Sequence, residues 1–130
     1  MQAFDAFGKS AVVAWPGQTS EQPGGQRAGK VVRFEQEDLD LVRSNATLVK
    51  HACLETVRTK PIVYADRMVS TAIRGVCPEY GDIRNEVPSD GRWINAVDFT
   101  DRRRVAFLGQ WVADKLFAGR PAVGEQVQID

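Results

Sequence analysis

The chain has 130 residues, with 17 lysines and arginines against 17 acids, and 43% of it is apolar. Balanced charge argues against a nucleic-acid binder, which normally carries a basic surplus to neutralise phosphates. It also gives no general attraction to an anionic membrane surface. The length suits a single domain spanning residues 1–130, since one compact unit takes roughly 100–200 residues.

No apolar run approaches the ~20 residues that cross a bilayer. The N-terminus "MQAFDAFGKS" lacks the basic and apolar regions of a signal peptide. At face value these features place the chain in the cytosol, and a domain cut from a longer membrane protein would look the same. The far end, "GEQVQID", alternates apolar and polar residues and stops on a strand-like pattern with no cap, which hints at such a cut.

In chain order, "KSAVVAWP" (9–16) is β-branched and apolar and predicts a buried strand ended by Pro16. Residues 16–29 are a loop by composition, and "KVVRF" is a short extended piece. "EQEDLDLVRS" (35–44) predicts a helix. Its acidic first turn suits the positive end of the helix dipole, Leu39, Val42 and Phe34 supply an apolar side, and Asn45 fits the position after the helix. Residues 48–77 are rich in Val, Ile, Thr and Tyr. They predict two long antiparallel strands turning at "ADR" (65–67), with Pro61 marking a bulge or an edge position. Residues 78–101 are a long connection with one helical turn near Ile83. "RVAFLG" then predicts a strand, "QWVADKLF" a helix and "EQVQI" a last strand. The order β-α-β-β-loop-β-α-β gives an α+β fold, a mixed sheet with two short helices packed on it.

Several stretches imitate chemical sites. Gly24 to Lys30 has the spacing of a phosphate-binding loop, but Val31 follows the lysine where a hydroxyl should hold magnesium, and the flanks are wrong. His51, the single histidine, shares a strand face with Cys53 at about 7 Å. One histidine and two cysteines are too few ligands for a closed zinc centre. Asp38 and Asp40 lie on a solvated first turn. Asp98 and Asp101 sit beside Arg102, Arg103 and Arg104, where ion pairs or solvation explain them. "NAT" (45–47) fits a glycosylation pattern that matters only in a eukaryotic secretory chain. A hairpin centred near residue 65 puts Cys53 opposite Cys77, within disulfide range, and in a reducing compartment the pair would be two buried thiols.

Three stretches, "STAIRGVCPEYGDI" (70–83), "DGRWINAVDFTDRRRVAFLGQWVADKLFAG" (90–119) and "PAVGEQVQI" (121–129), stand in an order that resembles the extracytoplasmic core domain of MacB-like and FtsX-like ABC transporter permeases, the macrolide-exporter and lipoprotein-release type. The matching positions are Ile73, Gly75, Val76, Pro78 and Tyr80, then Gly91-Arg92, Arg104 to Gly109, Val112 to Gly119, and finally Pro121, Gly124, Val127 and Ile129. The acidic helix "EQEDLDLV" also fits. The family's flanking transmembrane helices and its next strand are not in this sequence.

The resemblance implies a porter-like periplasmic domain of an inner-membrane protein, non-catalytic and without cofactor or metal. It would carry ATP-driven movement to a periplasmic substrate or partner. The implied partners are the transmembrane part of its own permease, a second permease protomer, the ATPase domain or subunit and a periplasmic adaptor protein. Loops 16–30 and 81–101 would then offer contacts at Gln18, Gln22, Arg27, Arg92 and Trp93. Two other functions remain open. One is a small-molecule or peptide binding module in which at least two of Trp15, Trp93 and Trp111 share a cleft. The other is a Cys53–His51 hydrolase. The residues of 102–119 all have packing or turn explanations: Gly109 for the strand-to-helix turn, Trp111, Val112, Leu116 and Phe117 for an apolar helix side, and Gly119 and Pro121 for the stop.

Overall fold

The computed structural model describes residues 10–18, 29 and 31–129. Its elements are α1 (Gln36–Asn45), β1 (Thr56–Tyr64), β2 (Arg67–Gly75), α2 (Tyr80–Ile83), α3 (Ala96–Thr100), α4 (Gln110–Phe117) and β3 (Gln128–Ile129). The fold is α+β, as the sequence pattern predicts. Among the described residues it is a three-stranded antiparallel sheet of order β2-β1-β3 with four short helices.

The hairpin forms where β-branched residues are densest. Its ladder runs unbroken from Thr56↔Gly75 to Tyr64↔Arg67, which leaves Ala65-Asp66 as a two-residue loop. Ala65 takes a left-handed φ of 52° there, a conformation usually left to glycine. Pro61 lies opposite Ser70 without a bulge, and the short pairing of β3, confined to Ile62 and Val63, ends beside it. Pro61 is thus neither at a bulge nor on an edge strand: it sits in the middle strand, one residue past the end of the β3 pairing, where that side of β1 has no ladder partner to receive a backbone donor.

The core lies on one face of this hairpin. Ile62 and Val69 are directly paired across the ladder, so both side chains leave the sheet on the same side. Leu116 and Phe117 of α4, 0% and 1% exposed, close over them, and Leu108, Val112, Ile73, Ala122 and Val127 fill the margins. The Tyr64 ring packs on Phe117 with centroids 4.2 Å apart. Helix α4 ends through Ala118 (φ 52°) and Gly119 (φ 82°), two successive left-handed residues that reverse the chain before Pro121.

Several elements differ from the sequence expectations. Residues 11–17 form no strand. Val12 and Trp15 lie open to solvent, and the segment's recorded backbone contacts are one bridge, Gln18↔Val31, and the bond from Val32 N–H to the Gly17 carbonyl (2.9 Å). A strand pattern gives a strand only where another strand satisfies its donors, and the described partner, residues 31–32, meets this segment only at its end. The "RVAFLG" stretch likewise has no ladder partner, and "EQVQI" pairs at its last two residues only. Asn45 closes α1 from within, its side chain donating to the Leu41 carbonyl at 2.9 Å. Gly109 has an ordinary extended backbone and open space where a Cβ would sit, so its turn does not require glycine. Trp111 faces solvent, beneath the Lys115 ammonium at 5.9 Å from its ring, so the apolar side of α4 is Val112, Leu116 and Phe117.

Candidate functional site

The long connection between β2 and α4 is where the molecule concentrates its polar bonds. Asp98, 2% exposed, sits in α3 beneath the loop. Its two oxygens accept from the Arg92 guanidinium at 2.6 and 3.0 Å, a two-point pairing with fixed orientation. One oxygen also accepts from the Asn95 backbone N–H (3.0 Å). The Asn95 side chain accepts in return from the Asp98 N–H (3.0 Å), a reciprocal cap that starts α3. Arg103 approaches at 4.0 Å and pairs with Asp101 at 3.2 Å. The Arg92 guanidinium, with the Asn95 N–H in support, holds the Asp98 carboxyl well below the usual carboxylate range, at about 2, against the opposing effect of desolvation.

Trp93 fixes the other side of the loop. Its indole N–H donates to the Pro78 carbonyl (2.9 Å), and its ring lies between Tyr80 (6.3 Å, stacked) and Phe107 (4.7 Å, edge-on). Gly81 passes directly under this ring, and a Cβ there would come 2.5 Å from the indole nitrogen. The loop is therefore clasped at two points, Arg92–Asp98 and Trp93–Pro78. Beside it lies an open groove of about 1060 Å³ whose walls include Arg92, Arg104, Phe107, Phe117, Arg120 and Glu125.

A second cluster gathers at the open end of the hairpin, beyond the last ladder pair. The sulfurs of Cys53 and Cys77 are at bonding distance, 2.09 Å, with Cα atoms 5.9 Å apart. The true ladder register would set residue 54, not Cys53, opposite Cys77. The contact forms because the strands have already left the ladder there. Arg43 of α1 donates to the Ala52 carbonyl (2.8 Å) and to Glu79 (3.2 Å), and His51 Nδ1 stands 3.8 Å from the other Glu79 oxygen. Glu55 accepts from Arg74 (2.5 Å) and from the Tyr80 hydroxyl (3.2 Å).

The residues singled out from sequence are thus distributed as follows. Arg92 and Trp93 both spend their polar groups inside the fold, with part of the Arg92 side chain still exposed. Gln18 bridges Val31. Gln22 and Arg27 lie outside the described residues, as does all of the 24–30 glycine loop except Gly29. Trp15 and Trp111 are exposed, and none of the three tryptophans lines the groove. Cys53 has its sulfur bonded to Cys77, so it presents no thiol to His51, and His51 faces Glu79 instead. Asp38 bonds back to the Glu35 N–H (2.8 Å) and Asp40 to Gln36 (3.1 Å), both local helix contacts. The ion pairing expected of Asp98 and Asp101 with the neighbouring arginines is present through Arg103, but the main partner of Asp98 is Arg92, and the acid is buried rather than solvated. The spacing Asn95-x-x-Asp98 is a helix-start signature that marks it, and the glycine-arginine pair six residues upstream supplies its partner. Among the described residues, no group of three or more His, Cys, Asp or Glu side chains could hold a metal ion. No described helix is long and apolar enough to cross a membrane.

Residues 2–130 match the family model described as the MacB-like periplasmic core domain. The chain is 32% identical over 129 residues to the "Macrolide export ATP-binding/permease protein MacB" of Chlorobium luteolum, an alignment covering 99% of this chain and 19% of that protein. It is 31% identical over 105 residues to the protein of that name from Chlorobaculum tepidum (81% and 16%), and 28% identical over 126 residues to the one from Pasteurella multocida (97% and 19%). The chain thus spans less than a fifth of the length of these curated relatives. No solved structure matches it.

Proposed function

Because the chain belongs to the MacB-like periplasmic core domain family, we propose that it is a non-catalytic, extracytoplasmic body that transmits ATP-driven movement of a permease to a substrate or partner protein outside the cytoplasmic membrane. Residues 1–130 act as one domain of that larger protein. The hydrolysis of ATP takes place in another domain or subunit, as the "ATP-binding/permease" names of the relatives suggest. The transmembrane part of the same permease, a second protomer and a periplasmic adaptor are its partners, and Arg92 and Trp93 lie on the face they meet.

The observation that supports this best is the double clasp. A domain that conveys displacement must not absorb it in its loops. Here the longest connection is held by a buried carboxylate with two guanidinium bonds and by an indole wedged over a glycine. Rigid-body shifts of packed domains are an established way to carry such changes.

The test is to loosen the clasp in the full-length permease with Asp98→Ala and to measure ATP hydrolysis and export of a macrolide side by side. Retained hydrolysis with lost export supports a coupling role. Export at the parental rate, with the clasp demonstrably loosened, overturns it. A binding module is the second reading, favoured by the volume of the groove beside Arg92. Saturable binding of a macrolide or an amphiphilic peptide to the isolated chain, lost in Phe107→Ala, would select it.

A further inference from the structure

We propose that the Cys53–Cys77 disulfide is a latch for α1: it holds the Ala52 carbonyl and the Glu79 carboxylate at the spacing that the Arg43 guanidinium spans. Helix α1 buries none of its residues, and among the described residues it packs against no other helix or strand. Alone in water a helix of its length is marginal. Its position therefore depends on point contacts, and Arg43 makes the principal ones, to Ala52 O at 2.8 Å and to Glu79 Oε1 at 3.2 Å.

Those two acceptors belong to different strands of chain. Ala52 immediately precedes Cys53, and Glu79 lies just past Cys77. The hairpin ladder that could hold them in register stops at Thr56↔Gly75. Beyond it the one covalent tie between the two strands of chain is the sulfur–sulfur bond, with the Cys77 N–H donating to Cys53 Sγ at 3.0 Å. The Tyr80 hydroxyl donating to Glu55 (3.2 Å) and His51 beside Glu79 (3.8 Å) add two weaker polar contacts. Open the bond, and the two halves of the Arg43 receptor lose their covalent tie and keep only those two polar contacts, so their spacing loosens. The core around Ile62 and Leu116 lies on the hairpin face under α4 and does not use this link.

Closing the latch removes two electrons and two protons from the cysteine pair, and a small-molecule disulfide accepts them. One cysteine thiolate attacks a small-molecule disulfide and expels a thiolate. The second cysteine, deprotonated, then attacks the mixed disulfide and expels the other. The product is one protein disulfide and two small thiols, and a dithiol reverses the steps. This inference does not rest on the transport role, since oxidised glutathione supplies the oxidant in the test.

The experiment follows backbone amides by NMR in the parent chain and in Arg43→Gln, each after oxidised glutathione and again after a dithiol reductant. In the reduced parent, amides of 36–45 should exchange roughly 1.5- to 5-fold faster, the range of a weak exposed contact, while Ile62, Val69 and Leu116 keep their chemical shifts. Oxidised Arg43→Gln should match the reduced parent in α1, and reduction should add nothing further. A Cys53→Ser/Cys77→Ser chain without reductant should behave like the reduced parent. The proposal is overturned if α1 exchange ignores the reductant, if the core loses its native shifts together with α1, or if the Arg43 and reduction effects add independently. Alkylation of both thiols after glutathione treatment overturns it as well.

Discussion

One methyl group at Gly81 should do more damage to the clasped loop than at any other glycine that meets a neighbour. A Cβ built there lies 2.5, 2.7 and 2.9 Å from three atoms of the Trp93 indole. The obstacle is a rigid ring held by a hydrogen bond and two aromatic neighbours, so the indole must leave its seat. Overpacking costs about 1–3 kcal/mol. Displacing the indole loses a hydrogen bond worth about 0.5–1.5 kcal/mol and an aromatic pair worth about the same. Alanine's better helix propensity in α2 returns about 1 kcal/mol. Gly81→Ala should therefore destabilise by about 3 kcal/mol, with extremes near 1 and 5. Urea unfolding read by tryptophan emission, in a Trp15→Phe/Trp111→Phe background that leaves only Trp93, checks both parts. The midpoint should fall by roughly 1–3 M, and the native emission should shift to the red. Gly75→Ala is the control. Its Cβ would meet the Thr56 hydroxyl at 2.5 Å, but that group can rotate away on an exposed side chain, and the change should stay within about 1 kcal/mol of the parent. Equal stability of Gly81→Ala and Gly75→Ala, with unshifted Trp93 emission, would refute the seat described for the indole.

Other outcomes follow from the same geometry. Ala65→Gly in the hairpin loop should raise stability by about 0.5–1 kcal/mol in thermal or urea unfolding, because φ 52° carries a left-handed penalty that only glycine escapes. Leu116→Ala should cost about 2–5 kcal/mol by emptying the space over Ile62 and Val69. Trp111→Ala, on the open side of the same helix, should stay within about 0.5 kcal/mol. The Asp98 carboxyl is lowered from 3.8 to about 2 by folding, so its contribution is complete above pH ~4 and disappears as pH falls through about 2. An NMR titration should show that low midpoint, and Arg92→Gln should move it upward. An Asp98 midpoint near 4 in the parent would contradict the clasp.

The sequence pattern delivered the elements whose stabilising contacts are local or nearby. The hairpin was legible because β-branched residues on both arms meet across a two-residue loop, and α4 because Val112 and Leu116 sit four apart between Gly109 and Gly119. Trp111 is equally apolar on paper, yet it lies on the exposed side of the helix, with the Lys115 ammonium over its ring. The disulfide was within reach of symmetry reasoning about the hairpin. The centre assumed was half a residue off, and the splaying of the strands past Thr56 made that error harmless. The Asp98 clasp was missed because a run of arginines immediately after it offered an easier ion-pair explanation than Arg92, six residues before it.

The stretch "SAVVAW" shows why the rest was not legible. Its composition is as strand-like as that of β1, but Val12 and Trp15 are among the most exposed apolar residues described, together with Leu48. Composition reports what a segment would do against a partner strand and a covered face. It does not say that the partner is among its neighbours. The burial of β1 residues is decided by α4, which lies more than forty positions downstream and delivers Leu116 and Phe117 to Ile62. The exposed apolar side chains of 10–49 have no counterpart to α4 among the described residues. The physical difference between β1 and that segment is therefore one of tertiary coverage, and no period, propensity or spacing within either segment encodes it.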